Sequence, residues 1–403
     1  MTYGLIGEHL PYSFSKIVHE RLGDYQYELF CLDENQFEQM LSEKKFDGVN
    51  ITIPYKKKAM SFCDEVSEIA QKIGSVNTIY KKEGKFIGTN TDYNGFLYTL
   101  KRAGISLKNK KVLILGAGGT SLTVQKCALD EGASKISVAR REHDFSLDRD
   151  AEIIVNTTPV GTFPNNGEKL IDLADFPNCE GAVDVIYNPL RTELLLRAKE
   201  YGLPHAGGLP MLVAQATVAA ELFVGKSYQD RNEEVIKWVL ESIKNIVLIG
   251  MPGSGKSTIA KQLAKELDKT CVDLDEIIVE KAGMSIPEIF EANGEEFFRK
   301  LETEVCKEYG KQKNLVIATG GGIVLRKENM DALMQNGEII FLNRNIKNLA
   351  TVGRPLSANF EAIQKMYEDR FPLYKKYSEH VIECPENIAE TTKKIIAKIY
   401  ENV

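Results

Sequence analysis

Gly250-Met251-Pro252-Gly253-Ser254-Gly255-Lys256-Ser257 satisfies the phosphate-loop pattern G-x-x-x-x-G-K-[ST], and its flanks supply the context that the pattern needs. Asn245 to Ile249 reads as a short buried strand before it, and Thr258 to Leu267 as an amphipathic helix after it. A strand, a glycine turn and a helix start aim several backbone N–H groups at one point, where the helix dipole adds positive potential. Gly250, Gly253, Ser254, Gly255 and Thr258 would form the cradle, Lys256 would reach the β/γ-phosphates, and Ser257 would hold Mg²⁺. The bland alternative is a turn that only closes a strand–helix joint. Pattern and context together favour a nucleoside triphosphate site.

Around this stretch lies a chain of 403 residues, long enough for two or three domains. Apolar content of 43% and charged content of 27% are those of a soluble globular protein. The net charge of −6 argues against a nucleic-acid partner, which would ask for a basic face. Seven cysteines stand singly, with no C-x-x-C pair and only five histidines, so neither a zinc cluster nor a disulfide framework is expected. Free thiols in a reducing, cytoplasmic setting fit that spacing. The first residues lack the basic start and apolar core of a signal peptide. The longest apolar run, Met211 to Val224, is broken by Gln215 and Glu221 and is too short to span a bilayer, so no membrane association is expected. Monomer and homodimer both remain open.

Read from its start, the chain begins with a strand, Tyr3–Gly7, and a loop carrying Ser13-Phe14-Ser15. A strand–helix pair reaches about Glu43, and an alternating strand is then stopped by Pro54, which cannot extend a ladder. Lys56 therefore stands just past a strand's C-terminal end, where open α/β sheets place ligands. A hairpin around Glu83-Gly84 leads to Asn90-Thr91-Asp92. A new unit begins near Asn109: strand Lys111–Leu115, the turn Gly116-Ala117-Gly118-Gly119-Thr120-Ser121, a helix, and strand Lys135–Ala139. This is a mononucleotide-binding βαβ whose fingerprint reads G-x-G-G-x-S. The second strand ends not in an acid for a ribose hydroxyl but in Arg140-Arg141. A guanidinium suits a 2′-phosphate, which favours NADP over NAD, unless both arginines are solvated loop charges.

These residues spell a known pattern. From about Met1 to Ile243 the chain resembles the shikimate dehydrogenases, through Ser13-Phe14-Ser15, Asn50-Ile51-Thr52-Ile53-Pro54-Tyr55-Lys56, Val76-Asn77-Thr78, Asn90-Thr91-Asp92, Gly116-Ala117-Gly118-Gly119, Tyr187-Asn188-Pro189 and Pro210-Met211-Leu212-Val213-Ala214-Gln215. The resemblance implies reversible, NADPH-dependent reduction of 3-dehydroshikimate to shikimate. It makes Lys56 and Asp92 the catalytic pair, with Ser13 and Ser15 on the ring carboxylate. Thr52, Asn77, Tyr187 and Gln215 would complete the contacts, and Gly208 would join the cofactor site. Hydride arriving at a ketone carbon leaves charge on oxygen, so the chemistry needs a proton donor such as Lys56 beside it. Read alone, Lys56 in a run with Lys57 and Lys58 would mean a solvated face, and Asp92 a turn former. Two departures stand out. Tyr93 comes after Asp92 where the family typically has glycine. The stretch from Arg140 to Ala151 is short, with Ala139 rather than Asn before Arg140, so the cofactor domain is trimmed and its preference of NADP over NAD is left open.

Beyond the phosphate loop, Cys271-Val272-Asp273-Leu274-Asp275 alternates so as to put both carboxylates on one side of a strand end, one near Mg²⁺ and one on a substrate hydroxyl. A helix over Ser285 to Phe290 precedes Gly294-Glu295-Glu296-Phe297-Phe298-Arg299. Strand Leu315–Thr319 runs into Gly320-Gly321-Gly322, which lets a ligand lie against the backbone. Gly353-Arg354-Pro355-Leu356 and Arg370-Phe371-Pro372-Leu373-Tyr374 bring two more arginines. Together these motifs resemble shikimate kinase over Lys244 to Val403. That resemblance implies ATP and Mg²⁺. It puts shikimate on Asp275, Arg299, Gly321, Gly322 and Arg370, has Asp275 align the 3-hydroxyl, has Asp273 help position the metal, and has the lid residue Arg354 neutralise the transferring phosphoryl group. The simpler role for Arg299 is an ion pair with its helix neighbours Glu295, Glu296 and Glu302. The lid, Asn348 to Arg354, looks abbreviated and lacks the arginine that usually precedes R-P-L.

The expectation is therefore an α/β chain in three parts. Residues 1–105, completed by 208–243, make a substrate domain; 106–207 a Rossmann-like NADP domain; and 244–403 a P-loop kinase of three α/β/α layers around a parallel sheet. Successive reactions on one ring acid would make it a bifunctional cytosolic enzyme. The alternatives are a quinate/shikimate dehydrogenase joined to another small-metabolite kinase, and a ligand-sensing regulator without turnover.

Overall fold

The structure is a computed structural model that describes residues 1–23, 25–140, 142–349, 360–385 and 387–401. Arg141 and the lid segment with Arg354 lie outside the described residues. The chain divides into two compact units, Met1–Val239 and Leu240–Val403.

The first unit holds two sheets. One contains strands β1 (Tyr3–Gly7), β2 (Tyr27–Cys31), β3 (Gly48–Ile51), β4 (Glu65–Val66), β5 (Thr78–Lys82) and β6 (Lys85–Thr89), in the order β2-β1-β3-β5-β6-β4. β1 runs parallel to β2 and β3, while β5 returns antiparallel to β3 and to β6 through the Glu83-Gly84 turn. The other sheet is wholly parallel: β7 (Lys111–Leu115), β8 (Lys135–Ala139), β9 (Ile153–Asn156), β10 (Gly181–Asp184) and β11 (His205–Ala206), ordered β11-β10-β9-β7-β8. Its central strands are continuous apolar runs because both faces are covered. β8 is the edge strand, and only a short 3-10 turn, Phe145–Asp148, lies between it and β9. The trimming legible in the sequence is thus a sheet that stops at β8.

Helices α1 (Ser15–Leu22), α2 (Glu34–Glu43), α3 (Glu68–Ile73), α4 (Asp92–Ala103), α5 (Gly119–Asp130), α6 (Glu193–Glu200), α7 (Leu209–Val224) and α8 (Asn232–Ile243) complete this part. Their starts reflect capping: Asp33 and Gln36 form a reciprocal box at α2, and Ser67 accepts from the Ala70 N–H at α3. α4 begins at Asp92 itself, so the Asn90-Thr91-Asp92 segment is a helix start and not a loop. The compact units part at Val239–Leu240, ahead of the Lys244 boundary read from sequence. The last turn of α8 thus falls in the second unit, where Lys269 Nζ donates to the Glu241 and Lys244 carbonyls (2.8 and 3.0 Å), and the Asn314 N–H donates to Ile243 O (2.9 Å).

The second unit is built on one parallel sheet of β12 (Asn245–Ile249), β13 (Thr270–Asp273), β14 (Leu315–Ala318), β15 (Gly337–Asn343) and β16 (His380–Glu383), ordered β13-β14-β12-β15-β16. Two apolar cores cover its faces. The helices are α9 (Lys256–Leu267), α10 (Leu274–Ala282), α11 (Ile286–Gly310), α12 (Lys327–Met334), α13 (Phe360–Tyr377) and α14 (Ile388–Glu401). α11 is capped by Ser285 with Glu288 and bent at Gly294, whose φ of 78° breaks the helical ladder. One expectation is corrected here. β13 stops at Asp273 and Leu274 opens α10, so Asp273 and Asp275 are not alternate residues of a strand. Asp273 is the N-cap, its Oδ1 accepting from the Asp275 N–H at 3.0 Å. Among the described residues no helix is long and apolar enough to cross a membrane.

Gly208, at the N-cap of α7, shows how tightly the first unit is closed. A Cβ there would lie 2.0 Å from the Val185 carbonyl oxygen beyond β10. Gly208→Ala should lower the stability of this unit by about 1–3 kcal/mol, the usual penalty of overpacking; urea unfolding checks it, and an unchanged midpoint would mean that α7 can draw back freely.

Candidate active sites

The first site forms where loops leave the C-terminal ends of β1, β3, β9 and β10. They enclose a cavity of about 570 Å³. Ser13, Ser15, Thr52, Lys56, Asn77, Asp92, Tyr187 and Gln215 all line it, as does Gly208. Ser13 Oγ donates to Ser15 Oγ and accepts from the Ser15 N–H, both at 3.2 Å, so the two hydroxyls form one local unit. Burial pushes the Tyr187 phenol up while nearby Ser13 acts the other way, and its ring tilts against Phe14 at 5.1 Å. Asn77 accepts the Thr91 N–H (2.7 Å) and donates to Thr91 Oγ1 (3.0 Å), which in turn donates to Gln215 Oε1 (3.2 Å). That chain joins β5, the start of α4 and α7.

Lys56 is buried and its ammonium pairs with Asp92, the first residue of α4, where the helix dipole favours a carboxylate. The lysine run is thereby split: Lys57 is exposed, and Lys58 pairs with Glu34 and Glu38 at the surface. The Lys56 stem lies against the glycine turn after β7, since a Cβ at Gly119 would sit 3.4 Å from Lys56 Cδ. That turn fits a dinucleotide. Gly118 caps α5 without any side-chain bond, so no side chain claims the helix's first N–H groups there. A Cβ at Gly118 would meet nothing within 4 Å. Gly116, by contrast, packs on Thr157 and Thr158, and Ala117 and Arg140 are exposed.

The second site sits at the C-terminal ends of β12, β13 and β14. Lys256 Nζ donates to the Gly250 and Met251 carbonyls, both at 2.9 Å, folding the ammonium back over the phosphate loop. α9 starts at Lys256 with no side-chain cap, Ser254 Oγ is buried without a partner, and Ser257 and Thr258 are exposed. The donor set fits phosphate, and Ser257 with buried Asp273 fits a magnesium ion held largely through water. Beside the loop, protein atoms occupy the Cβ direction of each of the three glycines. A Cβ at Gly320 would meet Asp275 Oδ1 at 2.7 Å, at Gly321 the Pro252 ring at 2.5 Å, and at Gly322 the Arg299 fork at 2.5 Å. Arg370 Nη1 and the Tyr374 hydroxyl both donate to the Gly321 carbonyl (3.0 and 2.6 Å). Arg299 does pair with Glu295 and Glu302, yet these bonds hold its guanidinium over Gly322. Sequence reasoning took Glu302 only as one of three acidic helix neighbours of Arg299. It is buried, and that burial, reinforced by nearby Asp275, pushes its carboxyl up. Its signal was its position three residues after Arg299.

With both sites described, likeness to known proteins can be set beside them. Residues 5–79 match the family model of the shikimate dehydrogenase substrate binding domain, and 252–401 that of shikimate kinase. A shikimate dehydrogenase (NADP(+)) of Clostridium perfringens is 36% identical over 260 residues, 58% of this chain and 96% of that protein. The chain belongs to the shikimate dehydrogenase family. Among solved structures, shikimate dehydrogenase 1 of Peptoclostridium difficile is 30% identical with a TM-score of 0.56, covering 59% of this chain and 98% of its own. The Thermus thermophilus shikimate 5-dehydrogenase, solved with NADP(H) and shikimate, is 33% identical with a TM-score of 0.54, covering 59% and 99%. The match to shikimate kinase falls on the second unit.

One residue of the dehydrogenase unit escaped the sequence reading. Asp184, at the end of β10, is fully buried and accepts from Asn156 Nδ2, the Ile186 N–H and Thr192 Oγ1. Asn156 Oδ1 then accepts from both the N–H and the hydroxyl of Thr158 on the cavity wall. Burial pushes the Asp184 carboxyl up to about 7 against the pull of these donors. Between about pH 4 and 7 the folded chain keeps a proton that the unfolded chain has released, so this carboxyl's contribution to stability falls as pH rises through that window. Asp184→Asn should remove that fall. The wild-type advantage over the variant should shrink from pH 4 to 7 by a few kcal/mol, read from unfolding midpoints across pH.

Proposed function

We propose that the residues lining the first cavity carry out one reaction on a ring acid and those around Gly320–Gly322 the next. The chain is a bifunctional enzyme of the shikimate pathway: an NADP-dependent shikimate dehydrogenase joined to a shikimate kinase. The observation that carries the reading is the Lys56–Asp92 pair, buried on the cavity wall with the lysine stem on the dinucleotide turn. In the domain terms proposed from sequence, 1–105 with 208–243 would receive 3-dehydroshikimate, 106–207 the dinucleotide, and 244–403 shikimate with ATP. Seven free thiols fit a cytoplasmic setting.

When bound, NADPH supplies the hydride, and ATP with Mg²⁺ supplies the phosphoryl group and the charge that steadies it. The rest falls to the chain. Lys56 would donate its proton to the ketone oxygen as that oxygen gains charge, and Asp92 would hold the ammonium and the adjacent hydroxyl in line. Ser13 and Ser15 would grip the carboxylate through neutral hydroxyls, with Tyr187 close by. Asn77 and Gln215, already locked through Thr91, would fix the ring hydroxyls, and Thr52 would close the rim. On the dinucleotide side, Gly116, Ala117, Gly118 and Gly119 would give the pyrophosphate a turn without side chains, and exposed Arg140 would meet the 2′-phosphate.

In the kinase half Arg299 and Arg370 would hold the carboxylate of shikimate as two forks. Asp275 would accept the hydrogen bond of the attacking hydroxyl, and Asp273 and Ser257 would keep the metal in place. Lys256 would swing from the loop carbonyls to the phosphates. Arg354 would add positive charge over the transferring group. Lys56 is paired with Asp92 on the first cavity wall, and Lys256 and Asp275 lie beside the phosphate loop and Gly320, which weighs against a regulator without turnover.

The test mixes full-length chain with 3-dehydroshikimate, NADPH, ATP and Mg²⁺ and monitors NADPH absorbance and shikimate 3-phosphate. Lys56→Ala should slow the reduction by roughly 10²–10⁴ and leave phosphorylation of added shikimate intact. Lys256→Ala should do the reverse. Loss of both activities from either change would contradict two separate sites, and no phosphorylation by the wild type would sink the kinase half.

A further inference from the structure

Arg344 comes directly after β15, beside the phosphate loop, and neither catalysis nor substrate grip as described uses it. It is the only arginine between Arg326 and Arg354. β15 is the neighbour of β12, and the two are pressed together where the loop leaves the sheet: a Cβ at Gly250 would lie 2.7 Å from the Leu342 carbonyl oxygen. Two residues further on, Arg344 Nη2 stands 3.8 Å from where a Cβ of Gly255 would be, next to the first residue of α9. The guanidinium has one long contact, Nη2 to the Pro385 carbonyl at 3.5 Å, and its Nε is buried with no acceptor. Among the described residues no carboxylate pairs with it. Glu383, the acid nearest in sequence on β16, accepts from Asn343 instead. The charge is felt locally: burial lifts the Cys384 thiol to about 11 while Arg344 pulls it down.

A half-buried guanidinium with so little to bond is costly unless something completes it. The sheet order says what does. Asp273, Asp275 and Gly320–Gly322 lie on the β13–β14 flank of the phosphate loop, whereas Arg344 and Pro385 lie on the β15–β16 flank. Arg299 and Arg370 are both engaged on the first flank. An extended nucleotide crossing the loop from the acceptor must therefore run its nucleoside end past Arg344. We propose that Arg344 is a nucleotide-binding residue whose guanidinium takes the phosphate chain of ATP at its nucleoside end, from the flank opposite the acceptor. This rests on the kinase reading above for the reaction, but its binding arm does not need the acceptor to be shikimate.

The experiment uses full-length Arg344→Met and Arg344→Lys. Calorimetric binding of MgADP and of adenosine is compared with the KM values for MgATP and shikimate. Arg344→Met should weaken MgADP and raise the MgATP KM about tenfold or more, as loss of a charge-assisted contact does, with the shikimate KM within about twofold of wild type. Arg344→Lys should recover part of the loss, and adenosine should bind both variants as it binds wild type. MgADP affinity within about twofold of wild type in Arg344→Met overturns the proposal. So does an equal rise in both KM values, or loss of adenosine binding, which would mark Arg344 as a base-stacking or structural residue. If the wild type binds MgADP but phosphorylates no shikimate, the acceptor reading fails while Arg344 is still judged by the MgADP arm.

Discussion

The ion pair between Lys56 and Asp92 is the constraint around which the dehydrogenase unit is arranged. Removing two charges from water costs several kcal/mol, and their attraction repays this only when geometry and neighbouring dipoles are favourable. Here the neighbours are specific. Asp92 stands in the first turn of α4, and Lys56 lies just past the turn at the end of β3. The two are brought within reach because β5 returns antiparallel to β3, so that Asn77, just before β5, meets Thr91 across the site. The Lys56 side chain is closed off on its other side by Gly119, which belongs to the second sheet of the same unit. An exposed pair could drift, but this one is fixed from three directions and adds little to stability in return.

The kinase half meets the same demand with different materials. Beside its phosphate loop, each position from Gly320 to Gly322 that lacks a Cβ is filled by another group: Asp275, Pro252 of the phosphate loop, and the Arg299 fork. Sequence reasoning set an ion pair for Arg299 against a role in the site as though one excluded the other. Glu295 and Glu302 lie four residues before and three after it on α11, and together they hold the guanidinium over Gly322. The long arginine side chain loses its rotamer freedom to these acids before any ligand arrives, which lowers the entropy cost of binding.

What could be read from sequence was whatever is contiguous. The phosphate loop, the G-A-G-G turn, the Asn50–Lys56 segment and the three glycines each carry their geometry within a few residues, and the strands that present them are apolar runs. The missing material between Arg140 and Ala151 was legible too, as a sheet edge at β8. What escaped depends on partners far along the chain. Asp184 is an ordinary strand-end acid until Asn156 and Thr192 fold over it. Arg344 acquires meaning only when β15 is laid beside β12. The Asp273–Asp275 error was of another kind: alternation was taken as evidence of a strand where an Asp in front of a Leu-Asp-Glu-Ile run is equally an N-cap, and capping won.

On the proposed reading the two sites would recognise the ring acid by opposite means, and the chemistry of each reaction gives a reason. In the first, the hydroxyls of Ser13 and Ser15 would take the carboxylate, and Lys56 is paired with Asp92. A free arginine there would draw the developing alkoxide charge away from the proton donor and would oppose the positive nicotinamide ring formed as hydride leaves. In the second, charge already in excess must be gathered: a carboxylate, a triphosphate and an attacking oxygen meet in one place. Cations would serve there, and the unit holds Arg299, Arg370, Lys256 and, by our proposal, Arg344 around the phosphate loop, with buried Glu302 bonded to Arg299. Among the described residues, those assigned to the first site fall within Met1–Val239 and those assigned to the second within Leu240–Val403. On that reading one acid would be met twice, once by neutral donors and once by fixed charge.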